Sequence, residues 1–310
     1  GLGYVVPIAV GMRWFPDKKG LITGLAVAGF GFGAMGWVKL AGSWGHLIAE
    51  TGLPFTFIAY GAAYAGLILL GSLWMVFPPE GWLPQGYTPP EAVAKSGAPG
   101  AARDLKGVEI LKTKDFYLIF LTFIISAGAG LMCIGLMKAY PMEALQQTGS
   151  TAAEASAMAG TAMAVFFSLA NGIGRIAWGA LSDFLGRKRS ILIMVTMQGA
   201  AVIFFSAMAG YETWLYIGAT IIGFNFGGNF ALFPTITADS FGAANVGQNY
   251  PLVFLSYGVG GIAGPMIGGI LGDMGNFPAA FTGLGIALIA SASLVSAIGN
   301  GDDNGDEEKA

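Results

Sequence analysis

Charge is what this chain has least of. Only 11% of its 310 residues are Asp, Glu, Lys or Arg, against 55% hydrophobic. A soluble domain carries about 25% charged residues, so a water-surrounded globule is excluded. A mean hydropathy of +0.66 points to a protein embedded in lipid. One cysteine, Cys133, and one histidine, His46, exclude a disulfide framework and leave no ligand set for a Cys/His metal centre. Nothing in the chain forms a nucleophile–base pair or a nucleotide-binding motif, so no enzyme activity, cofactor or nucleic-acid partner is expected. Deep carboxylates are missing too: no Asp or Glu falls well inside an apolar run. Proton-coupled carriers usually rely on such a group. No charged leader precedes the first apolar segment, which opens at Gly1. No signal peptide is read there, and the chain is expected to be the remainder of a longer polypeptide.

What is present is apolar sequence in long continuous runs, with 50 glycines. Runs near 20 residues suit membrane-crossing helices rather than the short alternating strands of a barrel. Glycine at this level lets such helices pack closely and bend. The runs place spans at roughly 1–13, 21–47 and 54–77, then at 116–138, 155–181, 190–209, 214–236, 250–271 and 278–298. Residues 78–114 break the pattern with Pro78, Pro79, Pro84, Pro89, Pro90 and Pro99 and read as a linker. Residues 299–310 read as an acidic, disordered tail. The expected domains are thus a three-span unit over 1–77, the linker, and a six-span unit over 115–298.

Lysine and arginine orient this plan. If the turn Gly186, Arg187, Lys188, Arg189 lies in the cytoplasm and connections alternate, the linker and tail are cytoplasmic as well. Every basic residue except Lys39, Lys138 and Arg175 then falls on that side. Three spans, a long linker and six spans fit a transporter of two six-helix halves whose first three helices precede this chain.

Arg175 is the costly residue. It lies about four residues before the end of its span, roughly 6–10 Å inside at 1.5 Å per residue. Ser168, Asn171 and Arg175 share one helical face by spacing. A guanidinium there either clamps a carboxylate bidentately or snorkels to the headgroups. Lys39 is similarly balanced between reaching the surface and serving as a second buried cation. Tyr250 and Tyr257 share one face of their span, and Asn225 and Asn229 share one face of theirs. Their polar tips suit an interior, as substrate contacts or as helix–helix hydrogen bonds. Tyr4 opens the first span within reach of a cavity. Gln198 reads as structural, and His46 and Lys138 as groups near helix ends. Thr151 and Glu154 read as a capping box. The run Gly260, Gly264, Pro265, Gly268 and Gly269 reads as a packing and bending face.

Gly179, Leu181, Asp183, Gly186, Arg187, Lys188 and Arg189 resemble the loop signature of the major facilitator superfamily, Gly-x-Leu-x-Asp-x-x-Gly-Arg-Lys/Arg, in its second copy. Four stretches resemble the oxalate:formate antiporter family within it. They are Trp14 to Gly20, the linker pattern of Pro78, Pro79, Trp82, Pro84, Gly86 and Tyr87, the run Ala127 to Gly135, and Asn171, Gly172, Gly174 and Arg175. The resemblance implies an all-α bundle that exchanges small carboxylates by alternating access, as a monomer in the cytoplasmic membrane. In that family's oxalate carrier two buried cations hold the dianion. Arg175 matches one. The other is a lysine, and the matching stretch here, 249–258, has tyrosine in its place. One cation suits a monocarboxylate of formate or lactate type, whereas Lys39 as second cation restores a site for oxalate. A proton-coupled monocarboxylate carrier and a transporter-like carboxylate sensor remain the alternatives.

Overall fold

The structure is a computed structural model that describes residues 3–42, 44–87 and 105–299, without the side chains of Ala34, Met35, Val38 and Lys39. The described part is helical, with no strand. In chain order the helices are α1 (Val5–Trp14), α2 (Lys19–Ala41), the short α3 (Leu47–Thr51), α4 (Leu53–Ser72), α5 (Lys114–Leu136), the short α6 (Ala139–Gln147), α7 (Ala152–Thr161), α8 (Ser168–Leu185), α9 (Arg187–Met208), α10 (Glu212–Phe241), α11 (Val246–Asp273) and α12 (Phe277–Ser296). A π-helical turn, Ala162–Phe167, joins α7 to α8 without a break. Seven of the described helical runs are long and apolar enough to cross a membrane: α4, α5, α7 through α8, α9, α10, α11 with its preceding turn, and α12. α1 is a shorter apolar helix, and α2 runs for 23 residues. The middle of the linker and the acidic tail lie outside the described residues.

Local chemistry marks the helix ends. Thr151 accepts the Glu154 N–H while Glu154 accepts the Thr151 N–H, so the capping box forms. Thr113 caps α5 by accepting the Phe116 N–H, and Asn276 caps α12 by accepting the Ala279 N–H. Between α8 and α9 the chain reverses at Gly186, whose φ of 83° is left-handed backbone that a side chain resists.

Helix pairing follows the small residues, because bilayer helices gain from close contact rather than from leaving water. α5 packs on α11, α2 and α10 on α8, and α9 on α12. On α11 the small-residue face lies against α5: a Cβ at Gly260 would come 2.5 Å from the Ile124 carbonyl oxygen and 2.8 Å from the Gly128 nitrogen. The helix runs on unbroken through Pro265. On α2 and α8, a Cβ at Gly31 would come 2.5 Å from the Gly172 nitrogen. Rings fill the interior, as where Phe123 of α5 stacks on Phe233 of α10 at 4.1 Å. The last linker residues belong to this packing. Asn249 of α11 accepts the Gly107 N–H and donates to the Leu105 carbonyl, and Ile110 is fully buried. α4 stands apart, with Thr56 its one buried residue, and touches α2 where Trp37 meets Tyr60 and Tyr64 edge-on.

Candidate functional site

Arg175 sits in the interior of α8, 5% exposed. Its Nε donates to Asn171 Oδ1 one turn back at 3.0 Å, and its Nη1 donates to the Val27 carbonyl of α2 at 3.0 Å. These two bonds fix the plane of the guanidinium. A guanidinium has five N–H donors, and the others meet no protein acceptor among the described residues. No carboxylate pairs with it there: the three ion pairs of the described part lie elsewhere. The guanidinium rests on the Phe230 ring at 4.0 Å and stands 5.7 Å from that of Phe30, and cation–π contact offsets part of its desolvation.

The free side of Arg175 opens on a cavity of about 320 Å³, lined also by Tyr4, Asn171, Ser168 and Tyr257. Tyr4 stacks on Phe254 at 5.2 Å and Phe254 on Tyr257 at 5.1 Å. Met163 and Phe167 of the π-helical turn complete one wall. Turns of this kind often sit at functional sites. Here the widened turn leaves the Ser168 hydroxyl donating to the Met163 carbonyl at 3.1 Å.

Of the residues singled out from sequence, Tyr4, Asn171, Arg175 and Tyr257 converge on this cavity. Tyr250 lies deeper, fully buried against Tyr4 with ring centres 6.4 Å apart. Neither the Tyr4 nor the Tyr250 hydroxyl has a partner of hydrogen-bond geometry. Asn225 and Asn229 do not line the cavity. Asn229 takes the Ser126 hydroxyl at 2.7 Å and donates to the Phe226 carbonyl, while Asn225 donates to the Ile221 carbonyl. The Lys39 side chain lies outside the described residues. Phe30, Phe226, Phe230 and Phe254 were not singled out from sequence. Phe254 was within reach of it, since it stands four after Tyr250 and three before Tyr257.

A second cluster forms where α8 ends in the basic turn. Asp183 accepts the backbone N–H groups of Gly20 and Leu21, both at 2.9 Å, and so caps the exposed donors at the start of α2. Arg187 holds Asp183 at 2.7 Å and Asp239 of α10 at 2.9 Å, and Asp239 also takes Lys19 at 2.7 Å. Arg13 donates to the Ala244 carbonyl at 2.8 Å. Lys188 donates to the Ile298 carbonyl beyond α12, and Arg189 is exposed. The close seam continues at Gly179, where a Cβ would strike the Gly20 carbonyl oxygen. Asp239 was not read from the sequence. Helices α1 and α2, before the linker, are thus latched to α8, α10 and the turn after α10, which follow it.

Residues 118–307, more than half of the chain, match the family model of the Major Facilitator Superfamily. The chain belongs to the Major Facilitator Superfamily. Among its relatives in that superfamily is the uncharacterized MFS-type transporter YhjX of Escherichia coli (strain K12), 27% identical over 264 residues that cover 84% of this chain and 60% of that protein. The oxalate:formate antiporter of Oxalobacter formigenes is 27% identical over 271 residues, 86% of this chain and 59% of the relative. The chain therefore spans about 60% of the length of these relatives. Apicoplast pyruvate carrier 1 of Toxoplasma gondii is 24% identical over 301 residues, 82% of this chain and 54% of the carrier. Among solved structures, the Escherichia coli fucose:proton symporter FucP superposes with a TM-score of 0.67 at 14% identity, over 96% of this chain and 73% of that one, a likeness of fold alone. This member of the superfamily is accordingly a multi-pass membrane protein.

Proposed function

We propose that this protein is a secondary carrier that moves small organic carboxylates of the oxalate, formate or lactate type across the cytoplasmic membrane, by anion exchange with alternating access. One observation carries the reading. Arg175 is a buried guanidinium with unspent donors, no carboxylate partner among the described residues, and a cavity in front of it. An uncompensated buried charge is strongly destabilising, and a carboxylate entering the cavity relieves it with two parallel N–H···O bonds. The relatives named for oxalate, formate and pyruvate support the same chemistry.

Exchange follows from the charge. An empty site keeps its desolvated cation, so the carrier crosses more readily when an anion neutralises it. No Asp or Glu lines the cavity among the described residues, which favours exchange over proton symport. In this reading the basic turn is cytoplasmic, the carrier works as a monomer, and the Asp183–Arg187–Asp239–Lys19 cluster closes the cytoplasmic side. When these pairs part, the helices on either side of the linker rock apart and the cavity opens inward.

The test is uptake of a labelled carboxylate panel, from formate and oxalate through lactate to benzoate, into vesicles that hold the protein and are preloaded with unlabelled anion. Internal anion should accelerate uptake, and Arg175→Gln should abolish it. If no member of the panel exchanges, the carrier reading is lost. If Arg175→Gln exchanges at the wild-type rate, the site assignment is lost.

A further inference from the structure

We infer that the Arg175 cavity selects carboxylates with one charge on a flat apolar body, benzoate and its kin, ahead of formate and oxalate. The inference rests on the carboxylate reading above and adds the chemistry of the rest of the substrate.

The walls carry it. Around the cavity the side chains form a closed belt. Phe30 meets Tyr4 edge-on at 5.3 Å, Tyr4 stacks on Phe254 at 5.2 Å, and Phe254 stacks on Tyr257 at 5.1 Å. Tyr257 meets Phe230 edge-on at 5.5 Å, and Phe230 carries the Arg175 guanidinium, which closes the belt at Phe30. Rings offer faces and edges to another flat group. They offer no cation to a second carboxylate.

Charge and polar chemistry agree. Arg175 is the one charged group that lines the cavity among the described residues. Of the other polar side chains, Asn171 Oδ1 is engaged with Arg175 and the Ser168 hydroxyl with the Met163 carbonyl, which leaves the neutral hydroxyls of Tyr4 and Tyr257. The Tyr4 hydroxyl is buried beside that of Tyr250 with no acceptor of hydrogen-bond geometry, and can turn to join Arg175 in donating to a single carboxylate. The second carboxylate of oxalate would meet rings and neutral hydroxyls with no second cation among the described residues, and burying an unpaired ion is costly.

Size decides against formate. The cavity of about 320 Å³ is at the lower end of the roughly 300–1,000 Å³ of small-molecule sites. It has room for on the order of ten waters at about 30 Å³ each. Formate leaves most of that space unfilled, with the rings out of contact. A benzoate-sized anion fills it and keeps its carboxylate on the guanidinium.

The experiment is equilibrium binding to the purified full chain, with benzoate, lactate, formate, oxalate and the neutral isostere benzamide as probes. Benzoate should bind at least tenfold more tightly than formate, oxalate and benzamide. If oxalate or formate equals or exceeds benzoate while benzamide binds weakly, the selectivity is overturned and the carboxylate reading stands. If benzamide matches benzoate, or if nothing binds, the carboxylate reading falls and the inference falls with it. Phe254→Leu should lower the preference for benzoate over lactate at least threefold. An unchanged preference would show that the belt is not its source.

Discussion

Asp183 accepts the backbone N–H of Gly20 at 2.9 Å from 163 residues further along the chain. With its other oxygen on Leu21, a side chain after the linker serves as the N-terminal cap of a helix before it. The cap has two consequences. It satisfies donors that α2 cannot satisfy itself, and it exists only while the two sets of helices are together at this end.

Asp183→Ala should therefore loosen the basic end. A lost partner for part-buried donors costs about 1–3 kcal/mol, which shifts the closed state roughly five- to 150-fold. Thr23, fully buried one turn into α2, gives the readout. A Thr23→Cys thiol should react at least about fivefold faster with a reagent added from the basic-turn side once Asp183 is replaced. Equal rates would remove Asp183 from the latch.

Arg175→Lys should not rescue Arg175→Gln. Lysine keeps a point charge but lacks the fork that bonds Asn171 and Val27 while leaving parallel donors for a carboxylate. Carboxylate affinity should drop at least tenfold in the lysine variant and below detection in the glutamine variant. Wild-type affinity with lysine would mean that charge alone is read.

Two glycines on α11 make a paired test of helix packing. Gly260 faces α5 so closely that a Cβ would come 2.5 Å from the Ile124 carbonyl oxygen, whereas a Cβ at Gly258 would meet nothing within 4 Å. Gly260→Val should lose about 1–3 kcal/mol by overpacking and lower the melting temperature of the purified protein. Gly258→Val should leave it within error. A reversed order would contradict the α5–α11 contact.

Orientation is open to labelling in intact cells, since the native Cys133 is buried and gives little background. Gln147, which ends α6, and Arg189, in the first turn of α9, are both exposed and lie just beyond opposite ends of the run α7–α8. Gln147→Cys should react with an impermeant thiol reagent outside the cell, and Arg189→Cys only after permeabilisation. The opposite pattern would invert the proposed topology.

The loop signature was legible because its geometry is local. Gly186 turns the chain, and Asp183 and Arg187, four residues apart on either side of that turn, form an ion pair. The residues this turn engages were not legible. Gly20 and Asp239 come from distant helices, and nothing in their neighbourhoods announces the meeting. The cavity divides in the same way. Ser168, Asn171 and Arg175 share a face by period and do line it. Asn225 and Asn229 also share a face, but their amides are engaged within α10 and with Ser126 of α5. Period names a face without naming its neighbour. The belt phenylalanines were hidden for another reason: in a membrane helix a phenylalanine facing lipid, core or cavity looks the same in sequence.

By itself the sequence determined the medium, the all-helical class and the family. Scarce charge, long apolar runs and abundant glycine admit little besides packed membrane helices, and the spacing after Arg175 repeats the superfamily's turn. Tertiary structure alone decided that Arg175 keeps free donors, that aromatic side chains from α2, α10, α11 and the start of α1 close around it, and that Asp183 caps α2. The reason is physical. In lipid the apolar pattern does not separate inside from outside, because both are apolar. The inward faces are then set by which small residues let which helices touch, and each such contact joins residues far apart in the chain.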